Sequence, residues 1–376
     1  MSPRERVEKA LNHQEPDRVP LDLGCPSNSM SIELYKKLRQ YLGISSPTKV
    51  KVGLDNIVLD IEEEILESLG IDFCRIHLKT PHTWKKVVAE DGTFRDEWGI
   101  KRKWAAGGEF LEMVDAPLKN KTIDDLEKYP WPDPYDKGRI EGLEEEVKRK
   151  YEDTEYAIVA DTIGFGLFEQ AWYLRGMEQL MVDMIENPDF VNALLDKILD
   201  LSKKFWDVYL RVIGKYIDVV VHFDDLGGQN GLLISPQLYR QFIKERQRQI
   251  FSFIKERTKA KLFYHTCGSV YPLIPDLIEI GIDILQPIQT SAKDMGDTKL
   301  LKERFGKNLV FWGAIDYQSV IAKGTPEEVE NEVKKRIRDL SSGGGYVLSA
   351  THSMHSEVPI ENIISMYSAG KKYGRY

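Results

Sequence analysis

From Tyr156 onward the chain alternates between two hydrophobic periods. The run YAIVAD (Tyr156–Asp161) is short, apolar and β-branched, and a helical pattern starts near Phe165. A longer helical pattern covers Phe190 to Ile213, and DVVVHFDD (Asp218–Asp225) is the next strand. The stretch beginning SPQLYRQF reads as a helix with Ser235 as N-cap and Pro236 in its first turn, its apolar face built from Leu238, Phe242, Ile243, Ile250 and Ile254. KLFYHTC, IDILQP, NLVFWGAID and GGYVLSATH follow as strands, separated by helices near Ile274 to Ile280, before NLVFWGAID, from Pro326 and, last, from Pro359. Strand and helix in regular succession with short connections mean parallel strands and right-handed crossovers. RVPLDLG (Arg18–Gly24) and GIDFCRIHL (Gly70–Leu78) bring the count to about eight. The expected fold is a (β/α)8 TIM barrel spanning residues 1–376 as a single domain. A doubly wound sheet is the alternative, disfavoured because no Gly-x-Gly-x-x-Gly follows an early strand.

One stretch departs from the pattern. Thr83–Trp104 alternates around Asp91-Gly92, a hairpin turn signal, and predicts an antiparallel hairpin inserted after the second barrel strand. The proline-rich KYPWPDPYDKG (Lys128–Gly138) reads as a surface connection. At the start, Ser2, Pro3 and Glu5 form the signature of a capped helix, without the apolar centre of a signal peptide.

Composition narrows the function classes. A chain of 376 residues has length enough for a large core, and its net charge of −8, with no basic stripe, excludes a nucleic-acid partner. No apolar run reaches membrane-spanning length. Three cysteines, Cys25, Cys74 and Cys267, are odd in number and widely spaced, which points to a reducing, cytoplasmic compartment. A homo-oligomer stays open.

In a barrel of parallel strands the chemistry collects where strands end. Here the ends carry Asp161; Asp224 and Asp225, followed by the polar loop LGGQNG; His265 and Cys267; Gln286 and Gln289; Asp316; and Thr351 and His352. Residues two apart on a strand share a face, so His265 and Cys267 can both reach one ion, and imidazole with thiolate favours zinc. Two ligands do not complete a site. His352 is the first candidate for a third, Cys25 the alternative thiolate, and Glu169 and Asp224 candidate oxygen ligands. His222 lies mid-strand and His355 past a strand end, so neither is expected to ligate; His77 and His82 stay undecided. Asp224 and Asp225 point opposite ways on a straight strand, so one of them faces the cavity. The aromatic residues Phe165, Phe168, Trp172 and Tyr173 could line a pocket for an aryl methyl ether or methylated amine, or pack as ordinary helix residues.

The segments SPRERVEKALNHQEPDRVPLDLG, FDDLGGQNGLLISPQLYRQF, HTCGSVYPLIPDLIEIGIDILQPIQ, FWGAID and ATHSMHSEVPIENI together resemble the uroporphyrinogen decarboxylase superfamily, over essentially the whole chain. That resemblance implies a (β/α)8 barrel and one of two chemistries, tetrapyrrole decarboxylation or methyl transfer involving a corrinoid or thiol. The methyltransferase branch carries zinc on His-x-Cys and a distant cysteine; His265 and Cys267 match the former, and His352 stands near the place of the latter. The decarboxylases carry arginines after the first strand and an aspartate after the second; LDLGCPSNSMS has no arginine and CRIHLKTP no aspartate. The C-terminal histidine is common to that branch, so His352 also fits a catalytic role. The expected activity is a zinc-assisted methyltransferase, with a small-molecule methyl donor and a corrinoid carried by a partner protein, and with Asp161, Asp224, Asp225 and Gln229 shaping or protonating the substrate. The alternatives are a cofactor-free decarboxylase and a non-catalytic ligand-binding barrel.

Overall fold

The computed structural model describes residues 1–24, 27–105 and 111–376. Its strands in chain order are β1 (Phe73–Ile76), β2 (Thr93–Arg95), β3 (Lys101–Trp104), β4 (Leu111–Asp115), β5 (Ala157–Ala160), β6 (Val219–Phe223), β7 (Gly227–Gly228), β8 (Gly231–Leu232), β9 (Lys261–His265), β10 (Ile284–Gln286), β11 (Val310–Ile315) and β12 (Tyr346–Ala350). Seven of them form one sheet in the order β1-β5-β6-β9-β10-β11-β12, every neighbouring pair parallel. Strand order follows chain order, as successive right-handed crossovers require.

The expected first strand, Arg18–Gly24, is not continuous. It survives as a bridging segment. The Asp22 amide donates to the Leu348 carbonyl (3.0 Å) and the Leu348 amide to Pro20 (2.9 Å), while the Asp72 amide donates to Leu21 (2.9 Å). The segment thus touches β12 on one side and the start of β1 on the other, joining the two edges of the curled sheet. Proline at position 20 has no amide hydrogen to give a ladder, which shortens the pairing.

Side chains on the inner face form their own cluster: Phe73, Ala157, Val159, Val219, Val221, Phe263, Ile284, Val310, Trp312 and Val347. Val7 and Leu11 of the helix Pro3–Leu11 join it and plug the end from which the strands start. That helix is capped as its sequence predicts, with the Glu5 amide on Ser2 Oγ (3.2 Å) and the Ser2 amide on Glu5 Oε2 (2.9 Å). The outer faces of the strands pack under the helices, of which the longest is Pro188–Ile213. Among the described residues no helix is long and apolar enough to cross a membrane.

The antiparallel insertion is larger than expected and turns elsewhere. β2, β3 and β4 make a three-stranded sheet, with Thr93 opposite Lys103. The β2–β3 turn lies at Asp96–Ile100, where Asp96 Oδ1 accepts the amides of Trp98 and Ile100 (both 3.0 Å) and Gly99 takes φ 75°. Asp91-Gly92 makes a tight turn ahead of β2, Asp91 Oδ1 accepting the Thr93 amide at 3.0 Å. Both places carry turn chemistry of the same kind, an aspartate that accepts downstream amides followed by a left-handed glycine, and local sequence does not rank them.

His222 sits on the outer face of β6, fully buried among Trp206, Phe251 and Tyr264, whose rings lie 5.4–6.4 Å from its own. Neither ring nitrogen has a hydrogen-bond partner among the described residues. Burial alone pushes its pKa down to about 3. An unfolded histidine takes a proton near pH 6.5, so the unfolded chain binds more protons between those values, and stability falls as pH drops through the window. We expect His222→Phe to flatten that slope by up to about 1.4 kcal/mol per pH unit, read as the change in urea midpoint between pH 7 and pH 5; parallel slopes in the two proteins would refute it.

Candidate metal centre

Parallel register lines up the inner face of three adjacent strands. Phe223 of β6 pairs with His265 of β9, and His265 pairs with Gln286 of β10. Side chains two apart share a face, so Asp225, two residues past Phe223, turns inward with His265 and Cys267. These three form one group, with a ligand atom from each within 4.8 Å of the others. His265 Nε2 lies 3.4 Å from Cys267 Sγ and 3.6 Å from Asp225 Oδ1. Zinc in tetrahedral coordination, with bonds of about 2.0–2.1 Å to nitrogen or oxygen and about 2.3 Å to sulfur, spans ligand–ligand edges of roughly 3.3–3.6 Å. The donor set and its spacing therefore fit one such ion.

The cluster is built into the backbone. Asp225 Oδ1 accepts the Cys267 amide at 2.8 Å, which ties the end of β6 to the end of β9. The next loop crosses so closely that a Cβ on Gly268 would come within 2.6 Å of the Gly227 backbone, and Gly268 has φ 82°. Glycine at 268 is required by both facts. Burial, then the charges of Asp225 and Glu169, push the Cys267 thiol well up, so without a cation it keeps its proton. A bound divalent ion inverts that balance.

Other expected site residues fall in different places. Asp224 points away from the inner face. Its carboxylate accepts the amides of Leu167 (3.1 Å), Phe168 (2.9 Å) and Glu169 (2.7 Å) and so caps the helix Phe168–Arg175. Burial pushes it up to about 7, against the pull of those donors. It caps that helix, and the inward-facing carboxylate of the expected pair is Asp225. His352 lies past the end of β12, exposed, with its ring 6.2 Å from that of Tyr317. Its charge reaches His265 and Asp225, but it does not join the three-residue group. Cys25 lies outside the described residues. Asp161 is buried on the inner side, 3.3 Å from His77 Nδ1, and His77 Nε2 is 2.9 Å from the Leu59 carbonyl. That pair anchors the loop carrying Leu59 against β5. Gln229 is exposed and joins neighbouring loops, donating to the Ser291 carbonyl and accepting from Gln289 Nε2 at 3.3 Å. His82 is exposed beside Glu141 at 3.0 Å.

Three more residues stand beside the cluster: Glu169, expected as a candidate oxygen ligand, Gln286, named only as a strand end, and Arg102, not named. Glu169 is half-buried, its Oε2 enclosed without a hydrogen-bond partner among the described residues. Burial and the charges of Asp225 and Asp224 raise it well above the usual carboxyl range. Arg102 of β3 lies 4.6 Å from the centre of the Tyr173 ring, so the antiparallel sheet leans on the helix that carries Glu169. Gln286 accepts from His265 Nδ1. Only the convergence of strand ends could have pointed to Gln286, and nothing local pointed to Arg102. Phe165 packs on Trp98 and Phe205 at 4.5 and 5.4 Å, and Phe168 on Trp172 at 5.2 Å. Phe165 and Phe168 are packing residues.

The chain belongs to the uroporphyrinogen decarboxylase (URO-D) family, whose model matches residues 108–373. It is 23% identical over 260 residues to a methylated-thiol–coenzyme M methyltransferase of Methanosarcina mazei, covering 68% of this chain and 65% of that protein. It is 26% identical over 184 residues to a uroporphyrinogen decarboxylase of Neisseria meningitidis serogroup C, covering 48% and 47% respectively. The chain thus spans less than two thirds of the length of both relatives. Its fold is similar to that of a methyltransferase from Methanosarcina mazei, with a TM-score of 0.65 at 18% identity over 99% of both chains.

Proposed function

We propose that this member of the URO-D family is a methyltransferase that moves a methyl group from a small methylated substrate to a corrinoid protein or a thiol, with zinc held by His265, Cys267 and Asp225. The observation that carries the reading is the near-tetrahedral spacing of one nitrogen, one sulfur and one carboxylate oxygen on the inner face at the strand ends. Zinc bound there would supply Lewis-acid chemistry, through a fourth position open to the substrate heteroatom. The chain's own groups do the rest. His265, Cys267 and Asp225 orient that heteroatom. In the transfer the bond from heteroatom to methyl carbon breaks with its electron pair left on the heteroatom, and the acceptor supplies the pair for the new bond. Glu169, whose hold on a proton is strengthened by burial and its acidic neighbours, would then give a proton to the departing heteroatom. The similarity to a methylated-thiol methyltransferase supports a thioether or related donor.

The site gives the decarboxylase reading little to work with. A substrate rich in carboxylates needs cations, and here Glu169 and Asp225 face the cluster. Arg75, on the inner face of β1, is committed to Asp22, with contacts of 2.6 and 2.7 Å, and Arg102 beside the cluster is paired with Asp96 at 2.7 Å. Metal content and a transfer assay decide between them. Purified protein should hold about one zinc per chain and should methylate reduced free cobalamin from a methyl thioether, followed by the corrinoid spectrum. Metal-free protein that releases carbon dioxide from a porphyrinogen would overturn the proposal.

A further inference from the structure

Gln286 is completely buried, yet only half of its carboxamide is used. Oε1 meets His265 Nδ1, while Nε2 has no hydrogen-bond partner among the described residues. An enclosed donor without an acceptor is a standing cost to the fold, and an apolar side chain of similar size would avoid it. The backbone does not demand glutamine either, since the pairing of β9 with β10 uses main-chain groups, such as the Thr266 amide on the Gln286 carbonyl at 2.8 Å. Among the described residues, the polar contact of the side chain is with His265.

The polarity of the local hydrogen bonds is consistent from end to end. The carboxamide presents its oxygen to Nδ1, and an amide oxygen only accepts, so in this orientation His265 Nδ1 carries the hydrogen. In the neutral ring Nε2 is then bare, and it is Nε2 that faces Cys267 Sγ at 3.4 Å, where the thiol can donate to it. Asp225 Oδ1, at 3.6 Å, is too far to draw a hydrogen onto Nε2. We infer that Gln286 is the positioning residue of the centre: its Oε1 holds His265 in the Nδ1–H tautomer with the lone pair of Nε2 aimed between Cys267 and Asp225. The inference rests on reading that cluster as a metal site, and it assigns to a neutral amide the task that a carboxylate or a main-chain carbonyl performs behind many metal-bound histidines.

The test reads the tautomer and the metal separately. Side-chain nitrogen spectra of metal-free protein labelled with 15N-histidine, with His265 assigned from His265→Gln, should show hydrogen on Nδ1. Gln286→Leu should lose that preference and bind zinc about 10- to 100-fold more weakly in a chelator competition. Gln286→Glu, which keeps an acceptor in place, should restore both. A wild-type His265 with hydrogen on Nε2 would overturn the inference, as would Gln286→Leu with unchanged tautomer and unchanged affinity. Should Gln286→Leu fail to fold, the wild-type spectrum and the Glu variant still decide. If wild-type protein shows the Nδ1–H tautomer but takes up no zinc, the metal reading fails while the role of Gln286 on His265 stands.

Discussion

Serine in place of Cys267 is expected to empty the metal centre and to slow methyl transfer by about a thousandfold or more, equivalent to about 4 kcal/mol of lost transition-state stabilisation. A serine hydroxyl stays protonated at neutral pH and is a hard oxygen donor, so the site would keep one imidazole and one carboxylate, too few to hold zinc against dilution. The wild-type thiol starts from a raised pKa, because burial and two acidic neighbours oppose its ionisation. Metal uptake must therefore expel a proton, and zinc affinity should climb with pH across the neutral range. Cys74 provides the control. It is buried on the outer side of β1, its thiol pushed up to about 11, and among the described residues it belongs to no group of three potential metal ligands. Cys74→Ser should retain both zinc and rate. Cys25→Ser tests the alternative thiolate directly: loss of zinc in that variant with retention in Cys267→Ser would move the centre away from β9. Metal content per chain and single-turnover transfer rate are the measurements.

How far the sequence foretold this centre depends on whether strand alternation sufficed. It placed His265 with Cys267 on one face and required that only one of Asp224 and Asp225 face inward. It could not tell which, because that depends on strand register. Phe223 opposite His265 turns Asp225 in and leaves Asp224 to cap the helix Phe168–Arg175. His352 looked equivalent to the other strand-end groups, but the chain has already left β12 there, and its ring does not join the group of Asp225, His265 and Cys267. Two helix starts were legible from local chemistry alone, since Ser2 and Ser235 each accept an amide from three residues on, as expected. The bridging segment at Pro20–Asp22 and the buried pair of Arg75 with Asp22 were not, because both depend on which distant strands become neighbours. Arg75 is enclosed in the fold, and Asp22 also accepts from Asn28 (2.7 Å) and Trp312 (3.0 Å).

The largest loss of stability is expected far from the chemistry, at Asp72. This carboxylate is fully buried and precedes β1, at the end of the sheet opposite His265. Oδ1 accepts from Arg6 Nη1 (2.6 Å) and Arg18 Nη2 (2.9 Å), and Oδ2 from Arg18 Nη1 (2.7 Å) and the Leu21 amide (2.8 Å). One side chain thereby fastens the N-terminal helix, the bridging segment and β1 to one another, where the curled sheet meets its own edge. Asp72→Ala would leave Arg18 without its carboxylate partner and Arg6 with only Asp17, and uncompensated buried charge costs about 3–5 kcal/mol. That is a large share of the roughly 5–15 kcal/mol that holds most domains folded. Asp17→Ala should cost at most about 1 kcal/mol, because that carboxylate is part-exposed and Arg6 keeps Asp72. Removing the charge together with its partners should recover much of the loss, so Asp72→Ala combined with Arg18→Met should be less destabilised than the sum of the two. Urea unfolding of the four proteins gives the cycle. An Asp72→Ala variant within about 1 kcal/mol of wild type would mean that the two sheet edges are held by main-chain bonds and packing alone. Zinc content per folded chain should be unchanged throughout, since the clamp and the metal centre sit at opposite ends of the strands.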